Sequence, residues 1–299
     1  MNKFYIRKTG KYEIERVAGE AYLNWIYASP LGMKFLELFV KKKIASSLCG
    51  YYCDRAISKL KIKQFVDEFK IDMTSYEMPK KGYSNFNEFF YRKMKKQKIQ
   101  IASEETAFMS PCEGKVLGYE NIDTKRLIQI KGITYSLAEL LGHNSIASNY
   151  EGGSCLIVRL SPSNYHRFHF VDHGTCGPTT KIKGYYYSVN PTSISRINKI
   201  FCANKREWSI LNSGNFGEIL YVEVGATFVG SIIQTYKNDQ KVKKGDEKGY
   251  FKFGGSTVIL FMKKDVCKID HDIIEQTEKG IECSVSMGEK IGCNCNHIF

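Results

Sequence analysis

The sequence contains no long apolar run. Its longest uninterrupted apolar stretches, such as residues 258–262, are far shorter than the roughly 18–20 residues that a membrane-spanning helix requires. Residues 1–11 carry basic side chains but lack the apolar run of a signal peptide. We therefore expect any contact with a membrane to be peripheral. Internal repeats are also lacking, and a composition of 43% hydrophobic and 25% charged residues excludes wholesale disorder.

Acidic residues are scarce relative to basic ones. The chain has 44 Lys and Arg against 31 Asp and Glu, a formal net charge of +13, which favours an anionic partner such as nucleic acid, a lipid surface or a phosphorylated ligand. No recognition-helix or RNA-binding motif accompanies this charge, so nucleic acid is the least supported of the three. The ten cysteines are scattered along a chain without a secretory leader, and we expect free thiols in a reducing cytosol.

Strands and helices do not alternate along the chain, which argues against a parallel sheet with crossover helices. Helical patterns are found at residues 31–45, 57–69 and 86–94. Short β-rich runs separated by glycines predict strands at residues 115–119, 155–160, 181–189, 219–224, 228–233 and 257–262. The sequence thus predicts an α+β protein, in which a helical N-terminal region (residues 1–102) precedes a mainly antiparallel β core (residues 103–299).

The first candidate helix is basic and amphipathic. Its apolar residues share one face at three- and four-residue spacing, at Leu36, Phe39, Val40 and Ile44. Lysines at positions 41–43 lie at the border of that face, a pattern that suits a helix lying in a lipid interface. A solvated helix packed on the core is the more common origin of such a pattern.

Two histidines lie close together in residues 164–170, at His166 and His169. In a strand they would point to opposite faces, whereas in a turn they could converge. Such a pair suggests acid–base or ligand work, and two ordinary hydrogen-bonded histidines beside aromatic packing explain the pattern equally well. The nearby His173 would allow a metal site, but no convincing fourth ligand follows, and we predict no metal.

Ser256 follows a pair of glycines and begins a β-branched run. The glycines allow a strained or closely approached backbone, so the serine could be presented at the mouth of a strand. A tight turn that enters a strand is the ordinary explanation. The nucleophile elbow of hydrolases is excluded because Val258 stands where Gly-x-Ser-x-Gly requires its last glycine.

Two further motifs have ordinary explanations when taken alone. Residues 110–115, Ser-Pro-Cys-Glu-Gly-Lys, form a turn that could present the Glu113 carboxylate to a site, although an exposed turn carboxylate is favoured on local grounds. Residues 293–297, Cys-Asn-Cys-Asn-His, look like half of a metal site. Since no second half matches them, we interpret these residues as a frayed tail.

Together, in their order and spacing, these motifs resemble those of the pyruvoyl-dependent phosphatidylserine decarboxylases, in the form of a bacterial-type proenzyme. The resemblance covers nearly the whole chain. The segments that carry it are residues 89–95, 110–115, 165–169, 187–191 and, above all, 244–257.

The resemblance implies a cofactor that the chain makes from itself. Ser256 would attack the carbonyl of Gly255, and the chain would split into residues 1–255 (beta) and 256–299 (alpha), which stay together as a heterodimer. Ser256 would become a pyruvoyl group, form a Schiff base with the amine of phosphatidylserine, and release carbon dioxide and phosphatidylethanolamine. The implied location is the cytoplasmic side of the cell membrane, with peripheral attachment to an anionic lipid surface and no nucleic-acid partner.

The resemblance also implies roles for individual residues. His169 would act as the base for self-cleavage, Glu113 would orient that base, and His166 would serve the later decarboxylation as a proton donor. Relatives usually have Asp where this chain has Glu113, so the carboxylate is displaced by about one carbon–carbon bond, near 1.5 Å. We expect processing to survive this change. The alternative is an unprocessed, non-catalytic relative that binds anionic membranes.

Overall fold

The centre of the fold is a large, mostly antiparallel sheet. A computed structural model describes residues 3–15, 29, 43–130, 133–226, 231–254 and 256–295. The helices within these residues are α1 (Lys43–Cys53), α2 (Leu60–Phe69), α3 (Phe86–Phe90), α4 (Leu137–Leu140), α5 (Pro191–Ile194), α6 (Ile200–Ala203) and α7 (His271–Glu278).

The strands of the described residues are more numerous than the sequence predicts. They are β1 (Lys3–Ile6), β2 (Lys11–Ile14), β3 (Ala107–Met109), β4 (Gly114–Tyr119), β5 (Leu127–Ile130), β6 (Ile133–Tyr135), β7 (Ser154–Leu160), β8 (Arg167–His169), β9 (Gly174–Cys176), β10 (Thr180–Ile182), β11 (Arg206–Ser213), β12 (Gly217–Gly225), β13 (Ile232–Gln234), β14 (Lys241–Val242), β15 (Glu247–Phe251), β16 (Ser256–Met262), β17 (Cys267–Ile269), β18 (Glu282–Val285) and β19 (Lys290–Asn294).

Strand β16 lies in the middle of the large sheet. The order of strands is β14-β9-β11-β12-β16-β7-β4-β18-β1-β2, with β10 beside β11. Every residue of β16 is buried, because one hydrophobic cluster covers each face of the sheet. A strand buried on both sides needs a continuous apolar sequence, which explains the run Val-Ile-Leu-Phe-Met after Thr257. The predicted α+β class and the mainly antiparallel core are confirmed.

Two small sheets pack on the large one. Strands β13, β15 and β8 form one of them, and β17, β19 and β3 form the other. Phe168 of β8 and Phe251 of β15 join the same cluster as Val258 and Leu260 of β16. The strand that carries the paired histidines therefore covers one face of the central strand.

The prediction of a wholly helical N-terminal region is wrong for residues 3–14. These residues form the hairpin β1–β2, and β1 pairs in parallel with β18 near the other end of the chain. A pairing partner so distant in sequence leaves no local pattern, which is why the hairpin was not predicted. The candidate helix at residues 31–45 lies outside the described residues, apart from residues 43–45 at the start of α1.

Two other predicted elements are shorter than expected. The helix predicted at residues 86–94 ends at Phe90, since Tyr91 leaves the helical conformation (φ −93°, ψ 31°). The strand predicted at residues 181–189 is limited to β10, because the side chain of Asn204 binds both the amide and the carbonyl of Tyr187 (2.9 and 2.8 Å) and takes the bonds a neighbouring strand would make.

Of the strand predicted at residues 228–233, residues 228–230 lie outside the described residues, and β13 begins only at Ile232. The remaining predicted elements match more closely. The helix at residues 57–69 is a 3-10 turn (Ala56–Lys59) followed by α2. Within the described ranges, no helix is long and apolar enough to cross a membrane. All ten cysteines are free thiols.

Candidate active site

Ser256 is the first residue of β16, and backbone pairing fixes it from both sides. Its register partners are Leu160 of β7 and Gly225 of β12. The side chain is completely buried, and its hydroxyl has no hydrogen-bond partner among the described residues. Gly255, the other half of the predicted cleavage site, lies outside the described residues. A buried hydroxyl without a hydrogen-bond partner costs free energy.

The alternation of side chains along a strand decides which way Ser256 points. Residues two apart share a face, so Ser256 lies on the same face as Val258 and Leu260. These side chains pack against Phe168 of β8 and Phe251 of β15. Ser256 is thus directed to the layer that carries the histidines.

His166 immediately precedes β8 and is completely buried. Its Nδ1 donates a hydrogen bond to the carbonyl oxygen of Asn164 (2.8 Å), and its ring lies on Phe90 of α3 with the centroids 3.9 Å apart. Burial, helped by the positive charge of Arg92, lowers the pKa of His166 to about 3, against the effect of nearby backbone groups of Asn164 and Gly254. The imidazole is therefore neutral at pH 7, and its buried Nε2 has no hydrogen-bond partner among the described residues.

His169 occupies a different environment at the end of β8. Its Nδ1 donates to the carbonyl oxygen of Gly245 (2.9 Å), and its Nε2 is 3.2 Å from the hydroxyl of Tyr165. Burial lowers the pKa of this imidazole as well. The two histidines diverge, as residues three apart in a strand should, and each is held in one tautomer by a backbone carbonyl.

Glu113 reaches the histidine segment through Asn164. Its Oε1 accepts a hydrogen bond from Nδ2 of Asn164 (2.7 Å), whose carbonyl oxygen in turn holds His166. The same turn contacts His169 by its backbone only, since the amide of His169 donates to the carbonyl oxygen of Pro111 (2.8 Å). The structure thus connects the Glu113 carboxylate to Asn164, whose carbonyl oxygen holds His166, and connects the turn of Glu113 to His169 through the backbone.

Arg92 lies in the helical region and supports the turn that contains Asn164. Its guanidinium is buried, donates to the carbonyl oxygen of Ser163 (2.9 Å), and lies over the ring of Tyr76 at 4.2 Å from the centroid. The cation therefore holds the backbone next to Asn164. Its charge also favours the neutral form of His166.

Sequence reasoning missed the residues that support the site. Asn164 and Arg92 both lie in segments that were singled out, but only as parts of motifs. Buried arginines among apolar residues are unusual. The position of Arg92 directly after Phe-Phe-Tyr was therefore the available sequence signal for a residue that supports the site. Asn87, described below, has a comparable signal in its three phenylalanine neighbours.

The other candidate ligands do not converge. His173 is largely exposed beside Asp172 (3.2 Å). Across the described ranges, no three His, Cys, Asp or Glu side chains are grouped so that they could hold a metal ion. The interpretation of residues 293–297 as a frayed tail is wrong for residues 293–295. Cys293 belongs to β19, which pairs with β17 and β3, and the amide of Cys295 donates to the carbonyl oxygen of Val266 (3.1 Å). His297 falls outside the described residues.

Comparison with known proteins agrees with this arrangement. The family model described as "Phosphatidylserine decarboxylase" matches residues 86–293. The chain is 55% identical to the phosphatidylserine decarboxylase proenzyme of Clostridium botulinum (strain Hall), 56% identical to that of Clostridium perfringens, and 54% identical to that of Clostridium novyi. Each match covers 98% of this chain and 99% of the relative. Because both the family model and these relatives cover most of the chain, it belongs to the phosphatidylserine decarboxylase family.

Proposed function

We propose that this chain is a self-processing phosphatidylserine decarboxylase proenzyme. It cleaves itself between Gly255 and Ser256 and then converts phosphatidylserine to phosphatidylethanolamine. The observation that carries the proposal is the placement of Ser256, a buried hydroxyl without a described partner at the start of a central strand, directly after two glycines. The names of the family and of the relatives support the same activity.

The cleavage needs only groups of the chain itself and water. Ser256 Oγ bonds to the carbonyl carbon of Gly255 while the peptide C–N bond breaks, and the hydroxyl proton passes through a base to the nitrogen of residue 256. Loss of the Cα proton then breaks the Cβ–Oγ bond, so Gly255 leaves as a carboxylate. The enamine left on residue 256 takes up water and releases ammonia, which leaves a pyruvoyl group at its N-terminus.

The surroundings of Ser256 fit such a group. The site is apolar, closed to bulk water, and faced by the layer that contains the neutral, buried His166. A pyruvoyl group there would supply an electrophilic carbonyl that binds the substrate amine and accepts the electrons released with carbon dioxide. The chain's own part is to exclude water and to offer Nε2 of His166 for proton transfer.

We assign the two histidines to different steps. His169 takes the proton from Ser256, Glu113 supports the histidine segment through its turn, and His166 acts during decarboxylation. To take the proton from Ser256, Nε2 of His169 must leave the Tyr165 hydroxyl (3.2 Å) and bind the hydroxyl of Ser256 instead. His169→Gln should therefore stop cleavage, and His166→Gln should give a cleaved but inactive protein. The opposite pattern would exchange the two roles.

The intact mass of the purified protein tests the proposal directly. We expect two chains, residues 1–255 and 256–299, with the N-terminus of the shorter chain blocked. Phosphatidylserine added in detergent micelles should be converted to phosphatidylethanolamine. A single intact chain without activity would refute the proposal.

Glu113 motivates a second candidate function, an unprocessed relative that binds anionic lipid without catalysis. A carboxylate displaced by about 1 Å can cost on the order of a hundredfold in rate. Glu113→Asp separates the two candidates. Gain of cleavage by this variant, from a wild-type chain that stays intact, would favour the second candidate, whereas a wild type that cleaves by itself supports the first.

We further propose that α1, α2 and the turn between them dock on an anionic lipid surface. Large apolar side chains are exposed along these adjoining elements, at Leu48, Tyr51, Tyr52, Ile57 and Leu60. Lysines at positions 59 and 61 flank Leu60, and a third lysine follows at position 63. Apolar side chains bordered by lysines suit attachment to an anionic leaflet, where each basic residue adds about 1 kcal/mol.

Vesicle sedimentation tests this docking surface. Leu60→Glu should weaken binding to vesicles that contain phosphatidylserine, because it places a negative charge where an apolar side chain would enter the lipid. Ile128→Glu is the matched control, since Ile128 is also exposed but belongs to β5 of the core. Equal loss in both variants, or equal binding to neutral phosphatidylcholine vesicles, would contradict this docking surface.

A further inference from the structure

The residues just before the predicted cleavage site are held one after another by hydrogen bonds. We call residues 251–254 the junction segment. The amide of Phe251 donates to the carbonyl oxygen of His166 (2.9 Å), and the amide of Lys252 donates to that of Ser231 (3.1 Å). The amide of Phe253 instead donates to a side chain, Oδ1 of Asn87 (2.8 Å). Asn87 thus binds the residue that directly precedes the two glycines.

Asn87 is completely buried in α3, and both ends of its amide are used. Oδ1 binds the junction segment, while Nδ2 donates to Oδ1 of Asp54 (2.9 Å). An asparagine side chain costs free energy to bury unless its amide is hydrogen-bonded. Its place between Phe86 and Phe89 makes physical sense if the bond to Phe253 is needed.

The same helix aligns the junction segment with the histidine. The ring of Phe253 packs edge-on against Phe86 and Phe90, with centroids 5.0 and 5.1 Å apart. Phe90 also carries the ring of His166 at 3.9 Å. Helix α3 thus contacts both the chain that leads into the cleavage site and a histidine of the site.

Two glycines follow Phe253 in the sequence, and glycine allows backbone conformations that other residues rarely adopt. Gly254 has a φ of 132°, a conformation that L side chains rarely adopt. Without side chains at positions 254 and 255, the position of the Gly255 carbonyl depends on where the chain is fixed on either side. Backbone pairing fixes Ser256 on one side, and Asn87 fixes Phe253 on the other.

We propose that Asn87 is a positioning residue for self-cleavage: it holds the amide of Phe253 so that the Gly255 carbonyl is presented to Ser256 Oγ. This inference rests on the proposed self-processing. It assigns Asn87 no contact with the reacting atoms and no part in decarboxylation, because among the described residues its side-chain amide binds Phe253, Asp54 and, at 3.5 Å, the carbonyl oxygen of Gly50.

A reciprocal exchange of side chains tests the proposal. Asn87→Asp places two carboxylates together at Asp54 and should slow cleavage on the order of a hundredfold, as expected for a misplaced reacting group. Adding Asp54→Asn restores a donor opposite the new carboxylate, which still accepts from Phe253, so the double variant should recover most of the rate. Asp54→Asn alone keeps the Asn87–Phe253 bond and serves as the reference. Cleavage is followed on denaturing gels after pulsed synthesis of the full chain.

Stability is measured separately so that folding defects are not mistaken for positioning. Each variant is also made with Ser256→Ala, which cannot cleave, and its melting temperature is recorded. Asn294→Leu removes another buried amide, on β19 away from the junction segment, and should lower the melting temperature without slowing cleavage. A wild-type cleavage rate in Asn87→Asp, or slow cleavage in the double variant despite a wild-type melting temperature, would overturn the proposal.

Activity per cleaved chain separates cleavage from decarboxylation. Once cleaved, Asn87→Asp should decarboxylate at the wild-type rate per pyruvoyl-bearing chain, and an equal loss in both steps would also overturn the proposal. If the wild type itself fails to cleave, the proposed function fails. If the wild type cleaves and the Asn87 variants do so equally fast, only this inference fails.

Discussion

The β core and the helical region position the same site by different means. The core fixes Ser256 through backbone pairing with Leu160 and Gly225, which does not depend on what the side chain is. The helical region works through single side chains, such as Arg92 on the turn at Ser163 and Phe90 on the ring of His166. Substitutions in the core should therefore change the chemistry of the site with little change in the position of its groups. Substitutions in the helical region should change the position of those groups.

The largest effect is expected at Ser256. Ser256→Ala should abolish cleavage, since no other hydroxyl occupies that place, and should not lower the free energy of unfolding, because the hydroxyl it removes has no described partner. Thr257→Val is the matched control: the Thr257 hydroxyl is equally buried and without a described partner but points to the opposite face of β16. Intact mass and chemical denaturation measure both results. Failure of Thr257→Val to cleave would contradict the assignment by face.

Arg92 should give the largest stability loss on the helical side. Arg92→Met removes the charge and the bond to Ser163, and should lower the free energy of unfolding by about 2–4 kcal/mol. Arg55→Met, in the same region but exposed over Tyr51, should change it by less than about 1 kcal/mol. Urea denaturation in the Ser256→Ala background measures both. Equal losses of unfolding free energy in the two variants would show that burial does not distinguish Arg92 from Arg55.

The pH dependence of stability reports on His166. Its pKa in the folded protein, about 3, lies below the ordinary histidine value of 6.5, so the unfolded chain binds the extra proton first as pH falls. The stabilisation is present above pH 6.5 and declines by about 2 kcal/mol between pH 7 and pH 5. His166→Phe should therefore lose about 2 kcal/mol less over this interval than the Ser256→Ala parent. Parallel curves for the two proteins would refute a buried, neutral His166.

The smallest effect is expected at the rim of the helical region. Lys252 pairs with Asp54 at 3.1 Å, and both side chains are partly exposed. Such pairs contribute about 0–1 kcal/mol, so Lys252→Gln should cost less than about 1 kcal/mol in urea denaturation. If Lys252→Gln lowered the free energy of unfolding as much as Arg92→Met does, the position of the groups in this region would not depend on the buried side chains.

Much of the site could be predicted from its local patterns. Glycines before a β-branched run identified Ser256 and its strand, and the histidine pair stood out because the chain has only six histidines. The supporting residues could not be predicted in the same way. Asn87 is a polar residue in a short helix until Phe253, 166 positions away, is placed against it. Asn164 gains its meaning only when Glu113 is brought to its side chain.

The α+β class, the central strands and the residues that carry the family resemblance follow from the amino-acid sequence alone, because alternation, glycine turns and motif order are local properties. The direction and the contacts of each group depend on how the chain folds. It paired the N-terminal hairpin with β18, separated His166 from His169, and gave the Glu113 carboxylate to Asn164. These outcomes depend on burial and on partners far apart in the chain, and no local pattern carries that information.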